Sequence, residues 1–457
     1  MASPCTRFAV GTLLSGLACC APLGALAEAD TVSATTIQYV VRFYPRWFTY
    51  RQSQTATSNR MVGPARMTPV FGEVVAPNDD TLYVSSFLDL TTQPVVLTIP
   101  ETAVTSSILT LDAYGDVFDT GISAGTPGSY ALTGPGWDGV LPASVTRVAV
   151  PVAFSNLIIR ADKYAEDGSE HLAEAEQFRR QVHAAPLSEY TPDTNTTLIV
   201  PVEAYGVRYK VLADDLIASD PIAFLRELQV AMAAPTTPPL SFEDRLLSDR
   251  FDRLFGDGRL DPLSPADRVR RAEFSRGAQA AHRLILARYH ANTNSTNWIS
   301  FTNIGAWGRH DLDRAAIAEY IQYGNGYSTA AYYQAFRDEN GDPLDAGGGR
   351  GYVLTFAADQ IPSAERFWSI TAYLPESITL VPNDAEKYVV ASYTPGLVRS
   401  SDGSITIEIA PEQPPGVPTA NWLPVPRGRF TVMLRVYGPE GDVANGTYVP
   451  PPVMRLP

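Results

Sequence analysis

The stretch Asn421-Trp422-Leu423-Pro424-Val425-Pro426, followed by Gly428-Arg429-Phe430-Thr431-Val432-Met433-Leu434-Arg435-Val436-Tyr437-Gly438-Pro439, decides the fold class. Its first half is a Pro-rich corner holding Asn and Trp, which cannot continue a hydrogen-bonded ladder. In its second half Phe430, Val432, Leu434 and Val436 alternate with Thr431, Met433, Arg435 and Tyr437, the two-residue period of a sheet strand. The same period recurs upstream over Tyr352 to Ala357, Phe367 to Leu374, Tyr388 to Tyr393 and Ser404 to Ile409, with Asp402-Gly403 as a tight turn. This last third reads as a β-sandwich.

A second group of short apolar runs cut by turns spans Thr81 to Lys163: Leu82 to Leu90, Val95 to Ile99, Ser107 to Tyr114, Ser129 to Thr133, Val145 to Phe154 and Asn156 to Ala161. Their length and spacing predict another antiparallel sandwich. Between the two, Pro221 to Ala234, Phe242 to Phe255 and Pro265 to His290 are amphipathic helices separated by Pro and Gly, while Thr197 to Val211 reads as strand. Helical spacing also governs Ile37, Val40, Val41, Tyr44, Trp47 and Phe48, where Pro45 is expected to bend or end the helix, and Leu172, Ala175, Phe178 and Val182. The first of these helices is expected to lie as a lid on a sheet. The fold class is therefore mainly β, α+β overall: two antiparallel, jelly-roll-like β-sandwich domains joined by a helical subdomain. The expected divisions are 1–27, a secretory signal; 28–190, the first sandwich; 191–335, the helical connection; and 336–457, the second sandwich.

The leader expectation rests on Arg7, the apolar stretch Phe8 to Leu17, and Ala25-Leu26-Ala27 before Glu28, a pattern that predicts cleavage after Ala27 and a periplasmic or secreted product. That apolar core falls short of the ~20 residues a membrane-spanning helix needs. Cys5, Cys19 and Cys20 all precede the cut, so the product would lack the thiols that disulfides, Cys nucleophiles and thiolate metal sites require. With 457 residues, 45% of them hydrophobic, the chain can bury large cores. Its formal charge of -14 disfavours a phosphate-backbone partner, so no nucleic acid is expected.

Ordered blocks in both halves carry a family resemblance. On the N-terminal side they are Asn78-Asp79-Asp80-Thr81-Leu82-Tyr83, Phe87-Leu88-Asp89-Leu90, Pro94-Val95-Val96-Leu97, Leu111-Asp112-Ala113-Tyr114, Gly134-Pro135-Gly136-Trp137 and Arg160. On the C-terminal side they are Phe367-Trp368-Ser369, Tyr373, Asp402-Gly403-Ser404, Asn421-Trp422-Leu423-Pro424 and Arg435-Val436-Tyr437-Gly438-Pro439. Over most of its length the chain resembles the paired bacterial domains of unknown function 1254 (N-terminal) and 1214 (C-terminal), which occur together in exported proteins. The resemblance implies two sandwiches with a helical connection, and a glycan-processing or hydrolytic role by analogy of fold. The segment Tyr44-Pro45-Arg46-Trp47-Phe48 is more aromatic than the family pattern.

Three functional readings stay open. In the first, Asp80, Asp112 and Tyr114 are catalytic and meet Asn421 and Trp422 in a cleft between the domains: a carboxylate among apolar neighbours has a raised pKa, and two such groups could hydrolyse a glycosidic or related bond. Against this stands the ordinary use of Asp and Asn as turn caps. In the second, a non-catalytic protein binds a carbohydrate or other small molecule with Asn78, Tyr83, Trp137, Arg160, Asn421, Trp422 and Arg435 at a cleft between the domains, where small-ligand sites preferentially form. Trp368, Tyr373 and Tyr437 extend the aromatic set, with core packing the plainer reading for Trp368. In the third, strand edges and Pro450-Pro451-Pro452 join a partner chain, a homo-oligomer included.

No cofactor is evident, although an oxygen-only calcium site from Asp79, Asp80 or Asp116 stays open. Among the histidines, His282 and His290 lie two helical turns apart, beyond reach of one ion, and no H-x-x-x-H occurs. Gly121-Ile122-Ser123-Ala124-Gly125 fits the nucleophile-elbow pattern, but Thr126-Pro127-Gly128 follows where a helix should begin.

Overall fold

The computed structural model describes residues 23–63, 74–165, 167–192, 200–201 and 207–457. Most of the predicted leader, residues 1–22, lies outside them. The first sandwich faces two sheets on one core. Its strands are β1 (Val62–Gly63), β2 (Thr81–Asp89), β3 (Val95–Ile99), β4 (Ser106–Asp112), β5 (Gly128–Thr133), β6 (Thr146–Ala149), β7 (Phe154–Asp162), β8 (His183–Pro186) and β9 (Val200–Pro201). One sheet runs β4-β7-β2-β1-β9 and the other β6-β5-β3-β8. Pairing is antiparallel except at β1/β9 and β5/β6.

The second sandwich uses β10 (Trp298–Ser300), β11 (Ala330–Ala335), β12 (Tyr352–Phe356), β13 (Ala364–Leu374), β14 (Thr379–Leu380), β15 (Val389–Ala391), β16 (Ile405–Ala410), β17 (Trp422–Pro424), β18 (Thr431–Pro439) and β19 (Met454–Arg455). Its large sheet runs β10-β11-β18-β13-β14 with β15 also on β13, and the smaller sheet runs β17-β16-β12-β19. Two of these strands, β10 and β11, precede residue 336, so the sandwich draws on the connecting region as well as on 336–457. The Pro-rich tail packs on its own chain: Thr296 donates to the Pro450 carbonyl at 2.8 Å and the Trp298 indole to that of Pro451 at 2.8 Å.

The alternation along β18 is real, but neither face meets water. Val432, Leu434 and Val436, with Phe430, enter the sandwich core, while Met433 and Tyr437 belong to the core shared with the helices. Those helices form a third layer on the large sheet. They are α1 (Leu23–Thr55), α3 (Tyr209–Ser219), α4 (Pro221–Ala233), α5 (Phe242–Phe255), α6 (Pro265–Ala291) and α7 (Asp311–Tyr320); α2 (Leu172–Gln181) packs on the first sandwich instead. The starts of α4 and α6 follow from Asp220-Pro221 and Ser264-Pro265, a side-chain cap before a proline that has no amide hydrogen to leave unbonded.

Two expectations are corrected here and a third is narrowed. Of the bend or end expected at Pro45, the end does not occur, since the helix continues to Thr55. A mid-helix proline costs ~3 kcal/mol, yet Tyr39, Phe43, Tyr44, Trp47 and Phe48 are all buried, and burying aromatic area at ~25 cal/mol per Å² outweighs that cost. Nor is α1 a lid on a sheet. It is the centre of the helical layer, packed on α4, α5, α6 and α7, and Gly277 of α6 lies so close that a Cβ there would come 2.6 Å from Thr36 Cβ. Finally, the segment read as strand to Val211 turns helical at Tyr209, where Tyr209, Ala213 and Ile217 face the helical core; its residues 197–199 and 202–206 lie outside the described ones.

Candidate functional site

The period of β2 and β7 builds one wall of a cavity. Leu82, Val84, Leu88, Leu157, Ile159 and Ala161 point into the first sandwich, which turns Tyr83, Ser85 and Phe87, and their register partners Arg160, Ile158 and Asn156, to the opposite face. A sheet face of a free sandwich would be wetted. Here it meets the helix-side face of the second sandwich, where Tyr332 of β11 pairs with Arg435 of β18. Between the two faces lies a cavity of about 320 Å³, lined at its rim by the last turn of α1, by Val74–Asn78 and by Ile321–Gly324. That volume is in the range of small-ligand pockets.

Polar groups fasten the seam around this space. Asn78 Nδ2 donates to the Tyr437 hydroxyl at 2.6 Å while its Oδ1 accepts from Asp80 N, Thr81 N and Thr81 Oγ1. Arg160 Nη1 donates to Asn325 Oδ1 at 2.8 Å, and Asn325 is held in turn by the Tyr332 hydroxyl at 2.9 Å. Tyr373 donates to the Pro77 carbonyl at 2.7 Å. The Asp162 carboxylate pairs with Arg366, whose Nε lies 3.1 Å away.

Both cavity arginines are buried, Arg160 at 5% and Arg435 at 2% exposure. Each spends a donor on a strained corner. Arg435 Nη2 donates to the carbonyl of Ala76 at 2.7 Å and Arg160 Nη2 to that of Tyr323 at 3.1 Å. Ala76 (φ 56°) and Tyr323 (φ 58°) sit in the left-handed region that non-glycine residues avoid, at a cost of ~1–3 kcal/mol each. Each guanidinium also lies over a tyrosine ring, Arg160 over Tyr83 at 5.2 Å and Arg435 over Tyr373 at 5.5 Å. Neither forms an ion pair within 4 Å with a described carboxylate.

The predicted site residues divide between this cavity and other places. Asn78, Tyr83, Arg160 and Arg435 line it together. Asp80 sits behind the wall, 1% exposed, accepting from Ser369 Oγ at 2.9 Å and the Tyr393 hydroxyl at 2.6 Å. Burial pushes its carboxyl above the usual range, against the opposing pull of Arg435 and these two hydroxyls. Asp112 is elsewhere. Its Oδ1 accepts the amides of Tyr114 at 2.8 Å and Asp116 at 2.9 Å, the work of a turn cap, and burial with the nearby Asp116 charge raises its pKa to about 6. Tyr114 packs toward the helical layer, with Arg314 5.4 Å from its ring.

Trp137 is on a loop of the first sandwich, under the Arg147 guanidinium at 4.5 Å. Asn421 and Trp422 brace the smaller sheet of the second sandwich: Asn421 bonds Val398 N, Val398 O and Thr406 O, and the Trp422 indole donates to Ala410 O at 2.9 Å. The structure therefore does not bring Asp80, Asp112 and Tyr114 together with Asn421 and Trp422, because the large sheet of the second sandwich stands between the smaller sheet and the seam. The calcium candidates are likewise apart in their bonding: Asp79 pairs with Lys163 at 2.6 Å, Asp80 with two hydroxyls, and Asp116 with Arg314 at 3.4 Å.

Two things were not found by reading the chain. Gln52, Asn156, Gln322, Tyr323 and Tyr332 also line the cavity, and only the outward period of β7 could have pointed to Asn156. The second is a charged knot in the helical layer, where Asp214, His282 and Glu319 converge within 4.8 Å. Lys210 Nζ lies between the carboxylates, 2.8 Å from Asp214 and bonded to Glu319, and Tyr44 donates to Glu319 at 2.5 Å. Burial disfavours the imidazolium, but Asp214 and Glu319 outweigh it and hold His282 at about 9. A metal would have to displace that ammonium, so the knot reads as structural charge pairing across α1, α3, α6 and α7.

Comparison with known proteins agrees with this architecture. Residues 58–186 match the family described as Protein of unknown function (DUF1254), and residues 329–441 match Protein of unknown function (DUF1214). Among solved structures, the chain is similar to the VPA0106 protein from Vibrio parahaemolyticus, at 18% identity and a TM-score of 0.60, covering 93% of this chain and 100% of that one. An uncharacterised protein from Burkholderia cenocepacia matches at 15% identity and a TM-score of 0.42, over 94% of this chain and 95% of that one. The VPA0106 likeness shows a shared fold. No curated protein matches. Among the described residues, no helix is long and apolar enough to cross a membrane.

Proposed function

The chain carries the paired DUF1254 and DUF1214 domains, and from the geometry of their seam we propose that it binds a small organic molecule in the cavity between the two sandwiches. One observation carries the reading: two strained backbone corners, Ala76 and Tyr323, are each held at the rim by a buried arginine. Strain of this kind persists only where surrounding structure over-determines it, and it clusters at ligand clamps. Around it the walls alternate polar tips with apolar bodies, as pockets that orient a small ligand do. Export to the periplasm or beyond, expected from the leader, would suit a protein that collects such a molecule.

Carboxylate acid-base hydrolysis has less support. Among the described residues no Asp or Glu lines the cavity, and a general acid must come within hydrogen-bond reach of its substrate.

The test is a thermal-shift screen of sugars, lipids and organic acids on the wild-type protein and on Ser85→Phe, which places a ring in the cavity from an outward position of β2. A ligand at 100 times its Kd stabilises by about 2.7 kcal/mol. The expected result is a hit that raises the wild-type Tm and leaves the Tm of Ser85→Phe unchanged. A hit that stabilises both equally binds elsewhere and overturns the assignment, as does a screen in which no compound stabilises the wild type.

A further inference from the structure

We infer that the molecule held in this cavity is an organic carboxylate, its anionic head on the free donors of Arg435 and Arg160 and its apolar body on the facing sheet walls. The inference rests on the binding reading above and names the ligand's chemistry. Arg435 Nη1 and Arg160 Nε are buried and have no hydrogen-bond partner among the described residues. A buried guanidinium donor left unpaired is costly, more so than a neutral one. These are two such donors on facing walls of one cavity; Arg160 Nη1 and Nη2 already donate to Asn325 Oδ1 and the Tyr323 carbonyl, and Arg435 Nη2 to the Ala76 carbonyl.

Charge points the same way. The carboxylates that could neutralise these arginines are engaged elsewhere: Asp162 on Arg366, Asp79 on Lys163, and Asp80 on Ser369 and Tyr393. Asp80 acts on Arg435 only at a distance, and burial favours its neutral form. The cavity is therefore a positively charged space in a chain of net charge -14, with no acidic lining among the described residues. A neutral sugar would leave that charge uncompensated. A carboxylate supplies the negative charge and the acceptor oxygens that these donors lack.

The rest of the lining sets the body of the ligand. Phe87, Ile158, Val62, Val75 and Ile321 are apolar, and Tyr83 and Tyr332 offer ring faces. An acid with a hydrocarbon or aromatic body buries this surface, whereas acetate or inorganic phosphate satisfies only the head. The commitment is to a carboxylate with such a body. Long and compact bodies are distinguished by the probes below.

The experiment is calorimetric titration of the full protein with matched acid and amide pairs, octanoate with octanamide and benzoate with benzamide, and with acetate and inorganic phosphate as bare heads. At least one acid should bind ten times or more tighter than its amide and than acetate. Arg160→Gln should lose most of that preference, while Arg160→Lys, which keeps the charge but not the fork, keeps part of it. Arg435→Gln should do the same where it remains folded. Octanoate over benzoate assigns a long body, and the reverse a compact one.

Amides binding within threefold of their acids would overturn the anion and leave the cavity reading intact. So would a neutral sugar that binds the wild type and is blocked by Ser85→Phe, or phosphate binding as tightly as either acid. Absence of binding by every probe, together with a blank Ser85→Phe screen, would sink both.

Discussion

Asp80 tests most directly how the two sandwiches are joined. It precedes β2 of the first, and its two bonded hydroxyls, Ser369 and Tyr393, belong to the second. Replacing it by Ala leaves both hydroxyls buried without an acceptor, at ~1–3 kcal/mol each, so the expected total is about 4 kcal/mol. Asp80→Asn keeps an oxygen for one hydroxyl and should lose about 1–3 kcal/mol. Urea unfolding followed by circular dichroism measures this: with a slope of ~1–3 kcal/mol per molar, the Ala variant should shift the midpoint by about 1 M or more, and the Asn variant by less. A side chain present for catalysis alone would give midpoints unchanged in both variants. A shift below about 0.3 M for Asp80→Ala would refute the seam argument.

Other perturbations follow from the same geometry. Asp112 titrates near 6 in the fold against 3.8 when free, so the folded state holds its proton longer and stability falls as pH rises from about 4 through 6. Asp112→Asn keeps the oxygen that accepts both amides; it should match the wild type at pH 4 and exceed it by up to about 3 kcal/mol at pH 8, and a variant less stable at pH 8 contradicts this. His282 has the opposite sign. Its pKa is raised from 6.5 to about 9, so its contribution is complete below 6.5 and lost as pH rises through 9. His282→Gln should therefore cost on the order of 3 kcal/mol at pH 6, with the gap to wild type closing by pH 10 in urea titrations. Gly277→Leu drives a side chain into Thr36 and should destabilise by ~1–3 kcal/mol or more, read as a lower Tm; an unchanged Tm would mean that α1 and α6 are not so closely packed.

Much of the architecture follows from local pattern. The runs from Leu82 to Ala161 and from Tyr352 to Tyr437 become strands within a few residues of their expected bounds, because a two-residue period makes one face of each strand apolar and demands a sheet partner for it. The helices at Pro221, Phe242 and Pro265 are equally plain, each opened by a side-chain cap. The α1 error shows the limit of local rules: proline propensity is a fixed local cost, while the compensation comes from α4, α5, α6 and α7, distant in sequence.

The site was half visible for a related reason. Tyr83, Arg160 and Arg435 stand out as polar or aromatic residues at strand positions, and Asn78 as a polar residue just before β2, whereas Gln322, Tyr323 and Tyr332 look no different from other polar loop and strand residues. Asp112 looked like an unpaired carboxylate because its two amide donors lie in the turn that follows it. Trp422 and Asn421 read as ligand contacts beside a Pro-rich corner, yet they brace a sheet.

By itself the sequence determined that there are two β modules with helices between them, since strand period and helix capping are written in neighbouring residues. Only the tertiary structure decided that the second face of β18 meets helices and a cavity rather than water, and that Arg160 and Arg435, 275 positions apart, share that cavity. The physical reason is that periodicity specifies which side chains share a face, while what that face touches is set by packing between segments remote along the chain.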